Sequence, residues 1–215
     1  MNGYAFSLAG AGLVALPSGA LWWEAERLLV VSDLHFGKSE RLARRGGPLL
    51  PPYEVGETLD RLDAELSRTG ARTVICLGDS FDDLEATGME DSLALWLARL
   101  MAGRRWIWVE GNHDPGPVAI GGEHRAEVSL EPLCFRHVAL PAATGEVSGH
   151  FHPKARVAGV SRPCFLIDRN RAILPAFGTY TGGLRSSAPV LSTLMADGAR
   201  AVLTGSAAVA IPMPR

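Results

Sequence analysis

The sequence predicts an α/β protein in which two β-sheets pack together between flanking helices. Three observations lead there. The first half alternates short apolar runs with amphipathic segments, β-α-β-α-β, which implies parallel strands joined by crossover helices. The second half turns to short runs separated by turn residues, the mark of a more antiparallel set of strands. The 24 Gly and 14 Pro suit many short elements joined by tight turns, and argue against a long-helix bundle.

Each element has its own justification. The N-terminal stretch "MNGYAFSLAGAGLVALPSGALWWEAERLLVV" is apolar but lacks a basic leader. Pro17 and several glycines break it, and Glu24, Glu26 and Arg27 close it, so neither a signal peptide nor a membrane span is expected. "RLLVVSD" (27–33) reads as a buried strand ending in a polar turn. "PPYEVGETLDRLDAELSRTG" begins at a proline pair and carries Val55, Leu59, Leu62 and Leu66 at helical spacing, with Gly70 as C-cap. "RTVICLGDS" (72–80) and "RRWIWVEGNHD" (104–114) repeat the strand-then-turn pattern. Between them "EDSLALWLARLMAG" (90–103) is a second helix, apolar on most sides and therefore expected to be the more buried. "EHRAEVS", "LCFRHVAL", "GEVSGH", "ARVAGV", "PCFLIDRNRAILP" and "ARAVLTG" read as further strands. The last 25 or so residues suggest a closing helix or loop with a strand.

With no repeat, low-complexity segment or long linker, residues 1–215 read as a single domain. The formal net charge of −2 gives no footprint for strong non-specific nucleic-acid binding. A nucleic-acid substrate is still allowed, because bound cations add positive charge the count does not include. Cys76, Cys134 and Cys164 form no CxxC and no even framework. A reducing, cytoplasmic setting is therefore expected.

The chemistry lies where the strands end. Asp33 and His35 follow the first, Asp79 and Asp82 the second, and Asn112, His113 and Asp114 the third. The carboxyl edge of an open α/β sheet is where ligands bind. Asp and Asn after a strand are also ordinary caps and turn formers. Capping does not ask for histidine, however, and His35, His113, His150 and His152 all lie beside Asp or Gly at such loop mouths. Carboxylate, amide oxygen and imidazole without thiolate suit Mn²⁺, Fe or Zn²⁺ better than Ca²⁺ or a structural zinc site. More than four ligands implies two ions, which a shared carboxylate holds about 3.5–4 Å apart in two-metal hydrolases.

The ordered set "SDLHFGK", "GDSFDD", "GNHD", a later lone His and "GHFH" resembles the calcineurin-like metallophosphoesterase superfamily. The resemblance implies a four-layer αββα sandwich of two mixed β-sheets flanked by helices. It implies that Asp33, His35, Asp79 and His152 bind one metal, and that Asp79 bridges to a second taking Asn112, the lone His and His150. His124 and His137 both lie in the right interval. His137 ends an apolar run, as the other ligands do, in "CFRHV", where the family often has His followed by Gly. His124 sits in the polar "GGEHRAE" and is expected to be exposed, so His137 is the choice.

In the mechanism this implies, a metal-bridged hydroxide, its parent water acidified from a pKa of about 15.7 towards neutrality, attacks phosphorus. His113, oriented by Asp114, protonates the leaving group; a hydrogen bond from His113 to a phosphate oxygen is the plainer alternative. Asp82 is expected to orient a ligand histidine.

"SDLHFGKSERLARRGG", "GHFHPKAR" and "LPAFGTYTGGL" together resemble the ligase-associated DNA-damage-response endonucleases, PdeM-like bacterial phosphodiesterases. That likeness implies two Mn²⁺ ions, with Zn²⁺ or Fe as alternatives, a DNA substrate, and a functional link to a DNA ligase and helicase. Lys38, Arg41, Arg44, Arg45, Lys154 and Arg156 flank the two ends of the motif set, as phosphate contacts or as a solvated face. "GTYTGGL" lines the substrate side or closes the last strand. A small-molecule phosphodiesterase for nucleotides or cyclic nucleotides is the rival reading. A non-enzymatic module on the same scaffold would have lost ligands that are all present here.

Overall fold

The computed structural model describes residues 2–44, 46, 51, 53–82, 91–114, 116 and 120–214. Its first sheet opens with an antiparallel meander of β1 (Tyr4–Leu8), β2 (Ala11–Ala15) and β3 (Leu21–Trp23), which leads into β4 (Leu28–Val31). α1 (Lys38–Arg44) and α2 (Glu54–Thr69) carry the chain to β5 (Thr73–Leu77), and α3 (Asp91–Met101) to β6 (Arg105–Val109). β7 (Glu123–Arg125) completes the sheet, and β4 to β7 pair in parallel.

The second sheet runs β15 (Val209–Pro212), β14 (Arg200–Leu203), β12 (Val160–Ile167), β13 (Arg171–Ile173), β10 (Glu146–Ser148), β9 (Leu133–Arg136), β8 (Glu127–Leu130). β11 (Lys154–Val157) pairs with β12 off that path, and α4 (Pro189–Leu194) precedes β14. The sheet is mixed: β9, β10 and β13 run parallel at its centre, where the sequence suggested antiparallel pairing. Each sheet thus points a parallel set of strand ends toward the same region.

Three apolar layers fit the four-layer order. Leu59, Leu62 and Leu66 of α2 pack with Leu29, Val74 and Trp108 on the helix side of the first sheet. Val30, Ile75 and Ile107 face Phe135, Val147 and Phe165 between the sheets. Leu166, Ile173 and Leu203 meet Leu191 on the far side. Alternate residues of one strand, such as Leu29 and Val30, therefore enter different layers, which explains why the central strands read as unbroken apolar runs.

α2 behaves as its spacing predicts, burying Val55, Leu59, Leu62 and Leu66 and ending at Gly70, whose φ of 62° closes the helix in the left-handed region. α3 does not. It buries only Leu97 and Leu100, and Leu95 is 73% exposed, so the helix is less buried than its composition suggested. Apolar residues on all sides cannot all face one sheet when the helix lies on an outer layer. The N-terminal meander was not separately legible either; Ala9 and Gly10, then Pro17 to Gly19, form its turns. Among the described residues no helix is long and apolar enough to cross a membrane.

Candidate metal centre

Asp33 and His35 leave the end of β4, and Asp79 leaves β5, all three at φ near +50°. His150 and His152 follow β10, again at positive φ, 68° and 45°. These five account for most of the non-glycine residues with left-handed φ among the described residues. Asp and His tolerate that region better than most residues, but its cost is sustained only where surrounding contacts enforce it. The two histidines of "GHFH" thus stand in left-handed turns rather than in one extended segment, and both rings enter the same site.

The enforcing contacts are present. His35 N–H donates to Asp79 O at 2.9 Å, Asp33 N–H to Gly78 O at 3.2 Å, and His113 N–H to Asp79 Oδ1 at 2.9 Å. Across the sheets, His150 N–H donates to Asp33 Oδ2 at 3.0 Å and Phe177 N–H to Ser32 O at 2.7 Å. Gly149 makes the approach possible: a Cβ there would overlap the Ser32 hydroxyl and lie 2.6 Å from Asp33 Oδ2.

Two groups of donors result. Asp33, His35 and His152 form one and Asp79, His137 and His150 the other, with ligand atoms in each group within 4.8 Å of one another. His152 Nε2 is 3.1 Å from Asp33 Oδ1 and 3.4 Å from His35 Nε2. His137 Nε2 is 3.1 Å from His150 Nδ1, 3.4 Å from Asp79 Oδ2 and 3.0 Å from Asn112 Oδ1, which brings the amide oxygen into the second group. Asp33 Oδ1 is buried without a hydrogen-bond partner. Converging imidazole nitrogens beside an orphaned carboxylate oxygen, with no thiolate, fit a pair of divalent cations. The resemblance implied Asp79 in both groups; its carboxylate gathers with the second, and its Oδ1 accepts the His113 N–H.

The supports fix which ring atoms face the centre. His137 donates Nδ1–H to Leu77 O at 2.8 Å, and His35 Nδ1 lies 2.9 Å from Asp82 Oδ1, so both present Nε2. Burial would raise the Asp82 carboxyl, but His35, Arg41 and Lys38 together hold it below the usual range. Burial also opposes the shift at Asp79, where the bond and charge of His137, with His113, pull the carboxyl far down. His137 is raised despite its burial by Asp79 and Asp33, while burial and the His137 charge lower His150.

Two expectations need correction. Asp114 does not orient His113. Its carboxylate is buried and accepts N–H bonds from Asp79 (2.9 Å), Ser80 (2.8 Å), Phe81 (3.2 Å) and Gly111 (3.1 Å), pinning two ligand loops together. Burial raises its pKa even so. His113 takes its orientation from the Asp82 carbonyl, 2.9 Å from Nδ1. Arg41 is no free phosphate contact either, since it is ion-paired with Asp82. Lys38 is half-buried at the start of α1, and Lys154 donates Nζ–H to Thr181 O at 3.1 Å. Arg156 is exposed. Arg45 and the side chain of Arg44 lie outside the described residues.

His124 lies on β7 and is half-buried, not in an exposed turn, and it belongs to neither group. His137 does, as its position at the end of an apolar run suggested. The pairing of Arg41 with Asp82 had no sequence signal, because it joins a helix to a loop across 41 residues. The segment "GTYTGGL" forms no strand. It passes beside the centre, with Gly178 N–H on Asp33 O at 3.1 Å.

A four-layer sandwich with paired Asp and His groups where both sheets end defines a metal-dependent phosphoesterase. Residues 26–171 match the calcineurin-like phosphoesterase family, and the chain belongs to that family. The family depends on two metal ions, which agrees with the two groups. Among solved structures, the chain is similar to that of Pseudomonas putida nuclease MPE. The two are 29% identical, the match covers 97% of this chain and 100% of that one, and the TM-score is 0.79. No curated protein matches.

Proposed function

We propose that this protein is a phosphodiesterase that hydrolyses the DNA backbone with two divalent cations, Mn²⁺ before Zn²⁺ or Fe. The observation that carries the proposal is the convergence of Asp33, His35 and His152 on one point and Asp79, His137 and His150 on its neighbour. The first group would hold one ion and the second, with Asn112 beside it, the other; Asp79 stands with the second. Bound there, the ions would supply charge neutralisation at the phosphate oxygens and an acidified water as nucleophile. The similarity to a nuclease over nearly the whole chain supports a nucleic-acid substrate.

The protein's own residues do the rest. Asp82, held by Arg41, keeps His35 Nε2 directed into the site. With Nδ1 bonded to the Asp82 carbonyl, His113 in its cationic form carries a second proton on Nε2 and delivers it to the departing alkoxide. Lys38 and Lys154 follow the first and last metal motifs in the sequence, which supports them as contacts to flanking phosphates. The motif resemblance supports a bacterial role in DNA repair beside a ligase and helicase; the lack of a linker or repeat supports one domain over 1–215, and the cysteine usage a cytoplasmic setting.

The net charge of −2 favours one rival, a phosphodiesterase for nucleotides or cyclic nucleotides. Metal analysis with bis-p-nitrophenyl phosphate turnover tests the enzyme class. A panel of nicked, single-stranded and duplex DNA against cyclic nucleotides, all with Mn²⁺, tests the substrate. DNA cleavage is expected; cyclic nucleotide turnover without DNA cleavage would favour the rival.

A further inference from the structure

Phe151 stands between the two histidines of "GHFH" and takes no part in the metal groups. Its ring makes an edge contact with His150, centroids 5.0 Å apart, and packs partly on the apolar layer around Ala155, Cys164 and Leu191. It also lines a cavity of about 370 Å³ whose other walls are His150, His152, Gly183 and Leu184. That volume is in the range of small-ligand pockets, which begin at about 300 Å³.

Two of the five lining residues are candidate metal ligands, so the pocket lies against the metal centre. An ester substituent of a phosphate held at the centre could reach it. We propose that the pocket is a nucleobase subsite, in which Phe151 and Leu184 receive the base of the nucleotide whose phosphate occupies the metal centre. The proposal rests on the phosphodiesterase reading above and goes on to name what the site recognises beyond phosphorus.

The walls are pre-formed. Leu184 is 40% exposed, and its backbone is fixed at both ends. Its N–H donates to Phe151 O at 3.1 Å and its carbonyl accepts Lys154 N–H at 2.8 Å. Gly183 sits against His152, where a side chain would overlap the histidine carbonyl. An aromatic ring and a leucine hold a base by its faces, so recognition is tolerant of sequence. A base inside a duplex is already stacked between neighbours. The pocket therefore favours single-stranded or unpaired nucleotides over intact duplex.

The test compares nucleotides with a sugar phosphate that lacks the base. Calorimetry on the Mn²⁺-loaded protein measures binding of thymidine 5′-monophosphate, thymidine 3′-monophosphate and deoxyribose 5-phosphate, and needs no turnover. At least one nucleotide is expected to bind about tenfold more tightly than the sugar phosphate, within the range of base–aromatic stacking. Phe151→Leu and, separately, Leu184→Asp on the exposed wall should bring that ratio to near one. Equal affinities in the unmodified protein, or a ratio that survives Leu184→Asp, would overturn the proposal. Cleavage of single-stranded and duplex DNA is assayed alongside. No DNA cleavage with the affinity ratio intact would defeat the DNA reading and leave a nucleotide subsite. DNA cleavage with a ratio of one would defeat the subsite alone.

Discussion

Asp82 carries two jobs at once: its carboxylate faces His35 and Arg41, and its carbonyl faces His113. Its lowered pKa makes the first of these visible in solution. Because the folded value lies below the unfolded one, its stabilisation is fully present above about pH 3.9 and is lost as pH falls through the folded pKa. In metal-free protein, Asp82→Asn should therefore lower stability at neutral pH and flatten the acid limb of urea midpoint against pH. A parallel shift of the whole curve would argue against this origin. His113 is separable by leaving group. If its Nε2 proton goes to the alkoxide, His113→Ala should reduce turnover of an alkyl phosphodiester by about 10²–10⁴-fold and that of a nitrophenyl ester far less. Equal losses would limit His113 to binding the phosphate. The gathering of these residues was legible because Asp, His and Asn recurring in a fixed order after apolar runs point to one common site. The roles of Asp114 and Arg41 were not, since both depend on which backbone groups meet across the chain.

Between the sheet centre and the loop that follows β9, Arg171 of β13 is 1% exposed, among the most buried large side chains. Its guanidinium donates to Leu140 O at 2.9 Å, Pro141 O at 3.0 Å and Ala143 O at 3.1 Å, and lies 3.7 Å from Glu146 Oε1. Burial raises the Glu146 carboxyl, against the opposing pull of Leu140 N–H and Arg171. Replacing Arg171 with Met would leave three carbonyls and a buried carboxyl without their partner. We expect a loss of about 3–5 kcal/mol in urea unfolding. A change within about 0.5 kcal/mol, as at ordinary surface sites, would show that the loop is held by other contacts. At this scale the sequence was clear where period decides, as in α2, and silent where partners decide. An arginine in "DRNRAILP" looks like a surface residue until the loop it serves is seen to fold over it.

Over the whole molecule, each metal group draws on both sheets. Asp33 and His35 come from the first and His152 from the second; Asp79 comes from the first and His137 and His150 from the second. A cation in either group therefore joins the two halves of the sandwich. At a free concentration one hundred times its Kd, each ion should add about 2.7 kcal/mol of stability. For a chain of this size that raises Tm by about 5–10 °C. Thermal unfolding with Mn²⁺ and after chelation measures it, and an unchanged Tm would mean the groups do not load. His150→Ala and His152→Ala should each remove part of the gain and lower metal stoichiometry. The sandwich was foreseeable because two halves of different pattern, both apolar, have to cover one another. The parallel centre of the second sheet was not, because strands so short carry no signal of direction.

The left-handed φ of Asp33, His35, Asp79, His150 and His152 also bears on how an inactive form should be made. Alanine at such a position removes the donor and also tolerates the local left-handed turn less well than Asp or His. The loops around it would then relax, and a crystal of the substrate-trapped protein would record the relaxed loops rather than the working ones. Asparagine, at home in that conformation, removes the charge while leaving the chain its path. For Asp33 and Asp79 it is the substitution of choice for capturing a bound phosphoester.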